Sequence, residues 1–359
     1  MPDVLLFGAT GYTGRLTAHA LARRGASFVV AGRNASKLEA LATETGAADA
    51  RVAAAGDVDA LADALHDVRV LVTCVGPFMK MGDTAVDAAL RAKVHYVDST
   101  GEGPFIRRLI DERNDDALRA GIAMAPAMGF DEVPGDVVAT VAAAGFERPD
   151  LALTYAIPSG PSAGTLRSIL DIVTSPGQWI EGGRATPIRA GQQERWAPMP
   201  PPLGPRRGTS FPLAIGHLAP LHLDLERFRT YVTVGSWERL GLKAFVPSLR
   251  LALAAPGGRA LIERVIERAP EGPDEEARAR SKFTILGEAI AGDGWRNVVV
   301  TGADPYGLTG ELLAAAALRM AEDGYDKSGV MSPVQAAGLD LLRSELEKNG
   351  CELVSYESR

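Results

Sequence analysis

The sequence predicts an α/β protein whose N-terminal part is a Rossmann-type, doubly wound parallel sheet, followed by a region of mixed or antiparallel sheet. Three observations predict this. The apolar run Val4-Leu5-Leu6-Phe7 feeds directly into Gly8-Ala9-Thr10-Gly11-Tyr12-Thr13-Gly14. Strand-like and helix-like segments then alternate up to Pro126, the pattern of βαβ units. Beyond that point the strand-like segments lose the regular βα spacing, as strands of a mixed sheet do.

The glycine run is the first element to justify. A dinucleotide phosphate site needs a strand that delivers the backbone into a tight turn, glycines that admit the pyrophosphate, and a helix N-terminus with free N–H groups. Gly8, Thr10, Gly11, Tyr12, Thr13 and Gly14 stand where that turn and the first helical turn belong. The following segment, Tyr12 to Arg24, keeps Leu16, Ala20 and Leu21 on one face and stops at Gly25.

Phe28 to Ala31 reads as the second strand, and Gly32-Arg33-Asn34 follows. An NAD site places an acid near this strand end, whereas an NADP site places an arginine there for the 2′-phosphate. No acid occurs between Phe28 and Lys37; Arg33, Asn34, Ser36 and Lys37 supply two cations and two neutral hydrogen-bonding groups. The local chemistry favours NADP(H). Asn34 also suits a helix cap.

The remaining segments follow in turn. Helices are expected over 36–45, 57–65, 84–92 and 105–119, and strands near 51–54, 70–73, 95–98 and 122–125, giving six strands in all. Further on, 132–144 and 164–173 read as helices and 151–157 as a strand. Arg184 to Pro212 carries seven prolines and reads as a long irregular excursion or lid. Segments 228–237, 279–291 and 296–302 alternate as strands, 245–269 reads as one or two helices, and 312–320 and 333–348 are the last helices. The last of these starts at Ser332-Pro333, stops at Asn349-Gly350 and carries a stripe of Leu339, Leu342 and Leu346.

Composition excludes several classes. The 359 residues carry a formal charge of −7, which argues against a nucleic-acid partner. Cys74 and Cys351 offer neither a disulfide framework nor metal-ligand spacing, which suits a reducing cytoplasm. No signal peptide precedes the first strand, and no uncharged apolar stretch reaches the ~18 residues of a membrane span. Monomer and homodimer both stay open.

Ligands of doubly wound sheets bind beyond the carboxyl ends of the strands. The loops there are Cys74-Val75-Gly76-Pro77-Phe78, Ser99-Thr100-Gly101-Glu102 and Ala127-Met128-Gly129-Phe130-Asp131, each with a glycine that permits close backbone approach.

The motifs Gly8–Gly14, Ala31–Asn34, Val75–Phe78, Tyr96–Glu102, Gly129–Asp136 and Asp304–Thr309 together resemble the saccharopine dehydrogenase-like oxidoreductases, nearest the trans-acting enoyl reductase branch. The resemblance runs from the first strand to the final helix and is poorest over 151–288. It implies NADP(H), an inserted α+β substrate domain, and a C-terminal helix that completes the Rossmann domain. The expected divisions are 1–126, 127–304 and 305–359. It puts the pyrophosphate on Gly8 to Gly14, the 2′-phosphate on Arg33 and its neighbours Asn34 and Lys37, and Asp57 near the adenine. Cys74, Val75, Gly76, Pro77 and Phe78 are cofactor-binding candidates, with Val75 to Phe78 beside the nicotinamide ribose. Tyr96, Asp98, Thr100, Glu102 and Asp131 face the reacting end as catalytic candidates. For each of the five a structural reading stands beside the catalytic one: loop caps, an ST-turn, or a buried and satisfied tyrosine.

Other chemistries lack their residues. Short-chain reductases use Tyr-x-x-x-Lys, but the residues four beyond the tyrosines are Leu16, Thr100, Ser159, Gly235, Gly310 and Gly329, and Tyr356 has none. No Gly-x-Ser-x-Gly elbow exists, and His217 and His222 are five apart, so no metal pattern forms. The expected activity is NADPH-dependent hydride transfer to the C=C of an enoyl, acyl-type substrate. Reduction of a C=N bond, with Arg167, Arg184, Arg189 and Arg195 available for carboxylates, and a non-catalytic NADP-binding scaffold are the alternatives.

Overall fold

The structure, a computed structural model, describes residues 2–157, 175–233 and 272–358, with isolated positions 251, 255 and 258. The helices expected over 164–173 and 245–269 lie outside the described residues apart from those positions, as does Arg167. The chain divides into two compact units, residues 1–137 with 305–349 and residues 138–304 with 350–359.

The first unit is built on a parallel sheet. Its strands are β1 (Val4–Phe7), β2 (Phe28–Gly32), β3 (Asp49–Val52), β4 (Val70–Thr73), β5 (His95–Asp98) and β6 (Ala123–Ala125), ordered β6-β5-β4-β1-β2-β3. All neighbouring pairs are parallel. β1, β2 and β4 are buried at every position, which explains their unbroken apolar runs, because helices cover both faces. A seventh strand, Gly329–Val330, adds to β6 in parallel and was not expected from the sequence. Two residues are too short to show a period.

The crossovers are α1 (Tyr12–Arg23), α2 (Ala35–Thr45), α3 (Val58–Ala64), α4 (Phe78–Ala92), α5 (Gly103–Arg108) and α6 (Asn114–Ala120), with a π-helical turn at Leu109–Arg113 joining the last two. The single helix expected over 105–119 is therefore interrupted. α4 begins six residues before the expected Thr84. Gly82 sits inside it because a Cβ there would come within 2.5 Å of the Phe105 ring, so this glycine serves packing and not a turn.

After α7 (Val133–Ala143) comes the second unit. Its strands are β7 (Asp150–Ala156), β8 (Gly177–Glu181), β9 (Arg184–Ile188), β10 (Glu194–Ala197), β11 (Arg206–Ser210), β12 (Arg227–Thr233), β13 (Lys282–Ala291) and β14 (Gly294–Ala303). They form a mixed sheet ordered β10-β11-β12-β7-β13-β14, with β8 and β9 paired beside β12. Only β12 and β7 pair in parallel. The short helices α8 (Ile215–Leu218) and α9 (Glu275–Arg280) lie between strands. The expected irregular excursion over 184–212 is corrected: it contains three strands, and Ala197 pairs Arg206, so Pro198 to Pro205 close a hairpin. Ala197 and Met199 are buried in a cluster with Leu286 and Val299.

The chain then returns to the first unit with α10 (Pro305–Met320), the strand Gly329–Val330 (β15), α11 (Pro333–Ala337) and α12 (Leu339–Lys348). The helix expected over 333–348 is broken at Gly338, whose φ of 94° ends α11. Ser332 and Gln335 form a capping box at its start, and the Asp136 carboxylate accepts from the Val334 amide at 2.8 Å. Leu342 and Leu346 are buried. A last strand, β16 (Glu352–Ser358), pairs β14 in the second unit, where the sequence reading has no strand.

α10 lies against α1. Arg24 donates to Glu311 at 2.6 Å and to Glu345 at 2.5 Å, joining α1 to both returning helices. Burial opposes ionisation of Glu345, but the hydrogen bonds from Arg24 and Lys348 win and hold its carboxyl below the usual range. The helix contact is close because residue 310 is glycine: a Cβ there would stand 2.9 Å from the Leu16 carbonyl carbon.

Gly310→Val should therefore force α10 off α1 and cost about 1–3 kcal/mol. Gly56→Ala, whose Cβ meets nothing within 4 Å, is the control. Urea midpoints check this; equal midpoints for both variants would refute the close contact.

Candidate functional site

The three glycines of the first loop differ in what the fold asks of them. Gly8 has φ of 80° and its amide donates to the Ala31 carbonyl at 2.9 Å, so it makes the turn out of β1. A Cβ on Gly14 would fall 2.2 Å from the Gly8 carbonyl oxygen, so Gly14 lets α1 pack on the loop. Gly11 is different. Its Cβ would meet only the Gly8 oxygen at 3.4 Å, an ordinary contact, so nothing in the fold itself demands glycine there. Gly11 is also the N-cap of α1 and provides no side chain to cap it. A twelve-residue helix with no capping side chain and a bare backbone at its mouth fits a pyrophosphate. Thr10 lies in the turn, and Tyr12 and Thr13 open the helix.

At the end of β2, Arg33 and Lys37 are exposed, and neither has an ion-pair partner among the described residues. Asn34 accepts from the Lys37 amide at 3.0 Å, so its side chain caps α2. Asp57 caps α3 in the same way, accepting from the Ala60 amide at 2.9 Å. The free cations at this edge fit a 2′-phosphate.

The loop after β4 lies beside the glycine turn. Cys74 donates its amide to Phe7, and Val75 Cγ2 comes within 2.7 Å of where a Gly8 Cβ would stand. Gly76 is exposed, Pro77 is the N-cap of α4, and Phe78 packs against Phe105 with ring centroids 5.7 Å apart. These placements leave Val75 to Pro77 lining the region next to the phosphate turn.

The catalytic candidates separate into four and one. Tyr96, Asp98, Thr100 and Glu102 are at most 2% exposed and form one chain of hydrogen bonds. The Tyr96 hydroxyl donates to Asp98 Oδ2 at 2.7 Å. Asp98 Oδ1 accepts from the Thr100 and Ala127 amides, both at 2.8 Å. Thr100 Oγ1 accepts from the Glu102 amide at 3.0 Å. Glu102 spans the Phe78 and Met79 amides at 2.9 and 2.8 Å, capping α4 from another loop. Burial pushes the Asp98 carboxyl up to about 6, against those hydrogen bonds, and raises the Tyr96 phenol well above its ordinary value. These four side chains brace the strand-end loops against one another.

Asp131 stands apart. It follows β6, its carboxylate lies near Gly101, where a Cβ would meet Oδ2 at 3.4 Å, and it has no hydrogen-bond or ion-pair partner among the described residues. Protein atoms crowd it and push its carboxyl up to about 6, although the residue is exposed by area and that solvent access opposes the shift. An unpaired carboxyl poised near neutrality at the carboxyl end of a parallel strand can hold or release a proton. Sequence reasoning weighed all five alike, since the donors that tie Asp98 and Glu102 into the frame include backbone amides of distant loops, at Ala127, Phe78 and Met79.

One set of contacts was not anticipated. Tyr306, in the first turn of α10, meets Tyr12 edge-on with centroids 5.3 Å apart, and Thr309 Oγ1 accepts from the Phe130 amide at 3.0 Å. The quoted motif Asp304–Thr309 was the available signal. Among the described residues, no group of three or more His, Cys, Asp or Glu could hold a metal ion, and no helix is long and apolar enough to cross a membrane.

Comparison with known proteins agrees with this geometry. Residues 4–124 match the model of the saccharopine dehydrogenase NADP binding domain. The chain is 28% identical over 407 aligned residues, covering 98% of it and 96% of the relative, to the Mycobacterium tuberculosis protein named "Putative trans-acting enoyl reductase Rv2449c". A trans-acting enoyl reductase of Mycobacterium ulcerans is 36% identical over 141 residues, 38% of this chain and 34% of that protein. The apo saccharopine dehydrogenase (L-Glu forming) of Saccharomyces cerevisiae shares the fold over the whole of both chains, with a TM-score of 0.64 at 14% identity. Residues 4–124 thus resemble a saccharopine dehydrogenase NADP-binding domain, which assigns NADP(H) as the cofactor, and the whole chain shares the fold of saccharopine dehydrogenase.

Proposed function

We propose that the protein is an NADPH-dependent reductase that saturates the activated C=C bond of an enoyl, acyl-type substrate, with Asp131 as proton donor. The observation that carries the substrate class is the similarity to a protein named as an enoyl reductase across 98% of the chain, second unit included. When bound, NADPH supplies the hydride, which goes to the β-carbon. The chain's own residues do the rest. The bare N-terminus of α1 and Gly11 receive the pyrophosphate, and Arg33 with Lys37 meets the 2′-phosphate. Asn34 and Asp57 serve by capping the helices that carry those loops. The Tyr96-Asp98-Thr100-Glu102 chain fixes the loops after β4, β5 and β6. Asp131, protonated, gives its proton to the α-carbon and leaves as carboxylate.

Reduction of a C=N bond beside carboxylates calls for free arginines in the second unit. Arg195 is committed to Glu288 at 2.6 Å, which weighs against its use there. A non-catalytic scaffold is separated by experiment: steady NADPH oxidation with a panel of enoyl thioesters and imines supports the reading if only the thioesters turn over, and turnover of the imines alone, or of neither class, overturns it.

Three outcomes follow from the site. Arg33→Ala should remove most of the preference for NADPH over NADH, a charge-assisted contact contributing about 1.5–3 kcal/mol; equal dissociation constants for both cofactors in the unmutated protein refute the assignment. Gly11→Val should leave the urea midpoint unchanged, since its Cβ has room, yet weaken NADPH binding at least about tenfold by occupying the pyrophosphate's place. Unaltered affinity by titration would displace the phosphate site.

The last concerns pH. A carboxyl raised to about 6 is protonated below that pH, so a proton donor at Asp131 makes kcat fall as pH rises through about 6. Asp131→Asn should abolish that limb and lower kcat by roughly 10²–10⁴. A variant that keeps the wild-type limb would assign the proton to another group.

A further inference from the structure

We infer that Thr309, at the start of α10, is a positioning residue for proton transfer: its hydroxyl pins the loop that carries Asp131 through the neighbouring Phe130 amide. The inference rests on the reading of Asp131 as proton donor.

The loop between β6 and α7 has two anchors. At its first half, Asp98 accepts from the Ala127 amide on Oδ1 and from the Met128 amide on its backbone carbonyl, each at 2.8 Å. Ala127 adopts a positive φ of 61° there, so the backbone leaves β6 in a constrained turn. At its second half, Thr309 Oγ1 accepts from the Phe130 amide at 3.0 Å. The same hydroxyl donates to the Pro305 carbonyl at 2.9 Å, which fixes the side chain's rotamer within α10. The Thr309 methyl also fills the space over Gly129, lying 3.2 Å from where a Cβ would stand. Asp131 is the next residue after the pinned amide.

Among the described residues, no charged side chain pairs with the Asp131 carboxylate. Asp98 and Glu102, the acids of the adjoining loop, are committed to their own donors. What sets the surroundings of Asp131 is therefore the placement of its backbone, and two side chains decide that placement. One turn before Thr309, Tyr306 packs on Tyr12 of the phosphate turn. A single turn of α10 thus touches the proton-donor loop and the cofactor loop together.

Threonine is the residue this position needs. Valine keeps its shape and removes the acceptor; serine keeps the acceptor and removes the methyl. The test uses the full chain saturated with NADP+, and follows by NMR the exchange of the Phe130 amide and the titration of the Asp131 carboxyl. Thr309→Val should speed the exchange on the order of tenfold and lower the midpoint toward the ordinary carboxylate range, as the freed loop draws Asp131 away from the protein atoms that crowd it. Thr309→Ser should restore both to near wild type, which loss of helix stability alone would not do. If Thr309→Val fails to fold, Gly129→Ala presses on the same contact from the other side and should shift the same midpoint. Unchanged exchange and midpoint in Thr309→Val, or an unchanged midpoint in Gly129→Ala where the former does not fold, overturns the inference. Neither readout depends on turnover, so the kinetics of Asp131→Asn can fail while Thr309 still moves the carboxyl, and the two failures are told apart.

Discussion

The arrangement of the site depends on one buried carboxylate. Asp98 ends β5 and accepts from the tyrosine two residues behind it, the amide two residues ahead, and the Ala127 amide of the next crossover. A buried charge is tolerated only where such donors surround it, and removing the acceptor would orphan them together. The strand-end loops after β5 and β6 therefore hold their spacing because they share an acceptor. Glu102 extends the same device to the loop after β4, so three segments that border the nucleotide turn are tied by side chains that need never touch a ligand.

That bracing explains how much of the site is left free. With four acidic or hydroxylic side chains absorbed in the frame, what the frame leaves available is the row of bare amides at the mouth of α1, exposed Arg33 and Lys37, and Asp131, which has no partner among the described residues. Loops tied together in this way need little reorganisation when a ligand binds between them. The mixed sheet of the second unit has its own internal order. Trp179 and Tyr231 pack with centroids 5.2 Å apart, and Arg229 pairs with Glu181 beside them.

Local patterns were legible in the sequence, and long-range ones were not. β1, β2 and β4 announce themselves because burial on both faces leaves no polar interruption, whereas β3, with Asp49 and Arg51 and no buried position, shows only through its place in the alternation. The glycine turn is legible because it follows β1 directly and because Gly8 and Gly14 answer local needs of the backbone. Gly82 misled for the same reason in reverse: its need is the ring of Phe105, more than twenty residues on, so the start of α4 was hidden. The prolines of 184–212 suggested irregularity, yet most of them fall outside the paired residues of β10 and β11 and the hairpin accommodates them. The separation of Asp131 from Tyr96, Asp98, Thr100 and Glu102 could not be read, since it depends on which backbone amides the fold brings to each side chain.

The path of the chain carries a consequence for its synthesis. The first unit is discontinuous: α10, β15, α11 and α12 reach it only after the whole second sheet except its edge strand has been made, and β16 then goes back. A nascent chain emerging N-terminus first presents β6 without its outer neighbour β15, α1 without α10, and Arg24 without Glu311 and Glu345. Contacts so distant in sequence close late and slowly. The face of α1 that α10 covers thus stays open until residues 305–349 have been made, which makes that segment the one that converts a half-covered sheet into a finished nucleotide domain.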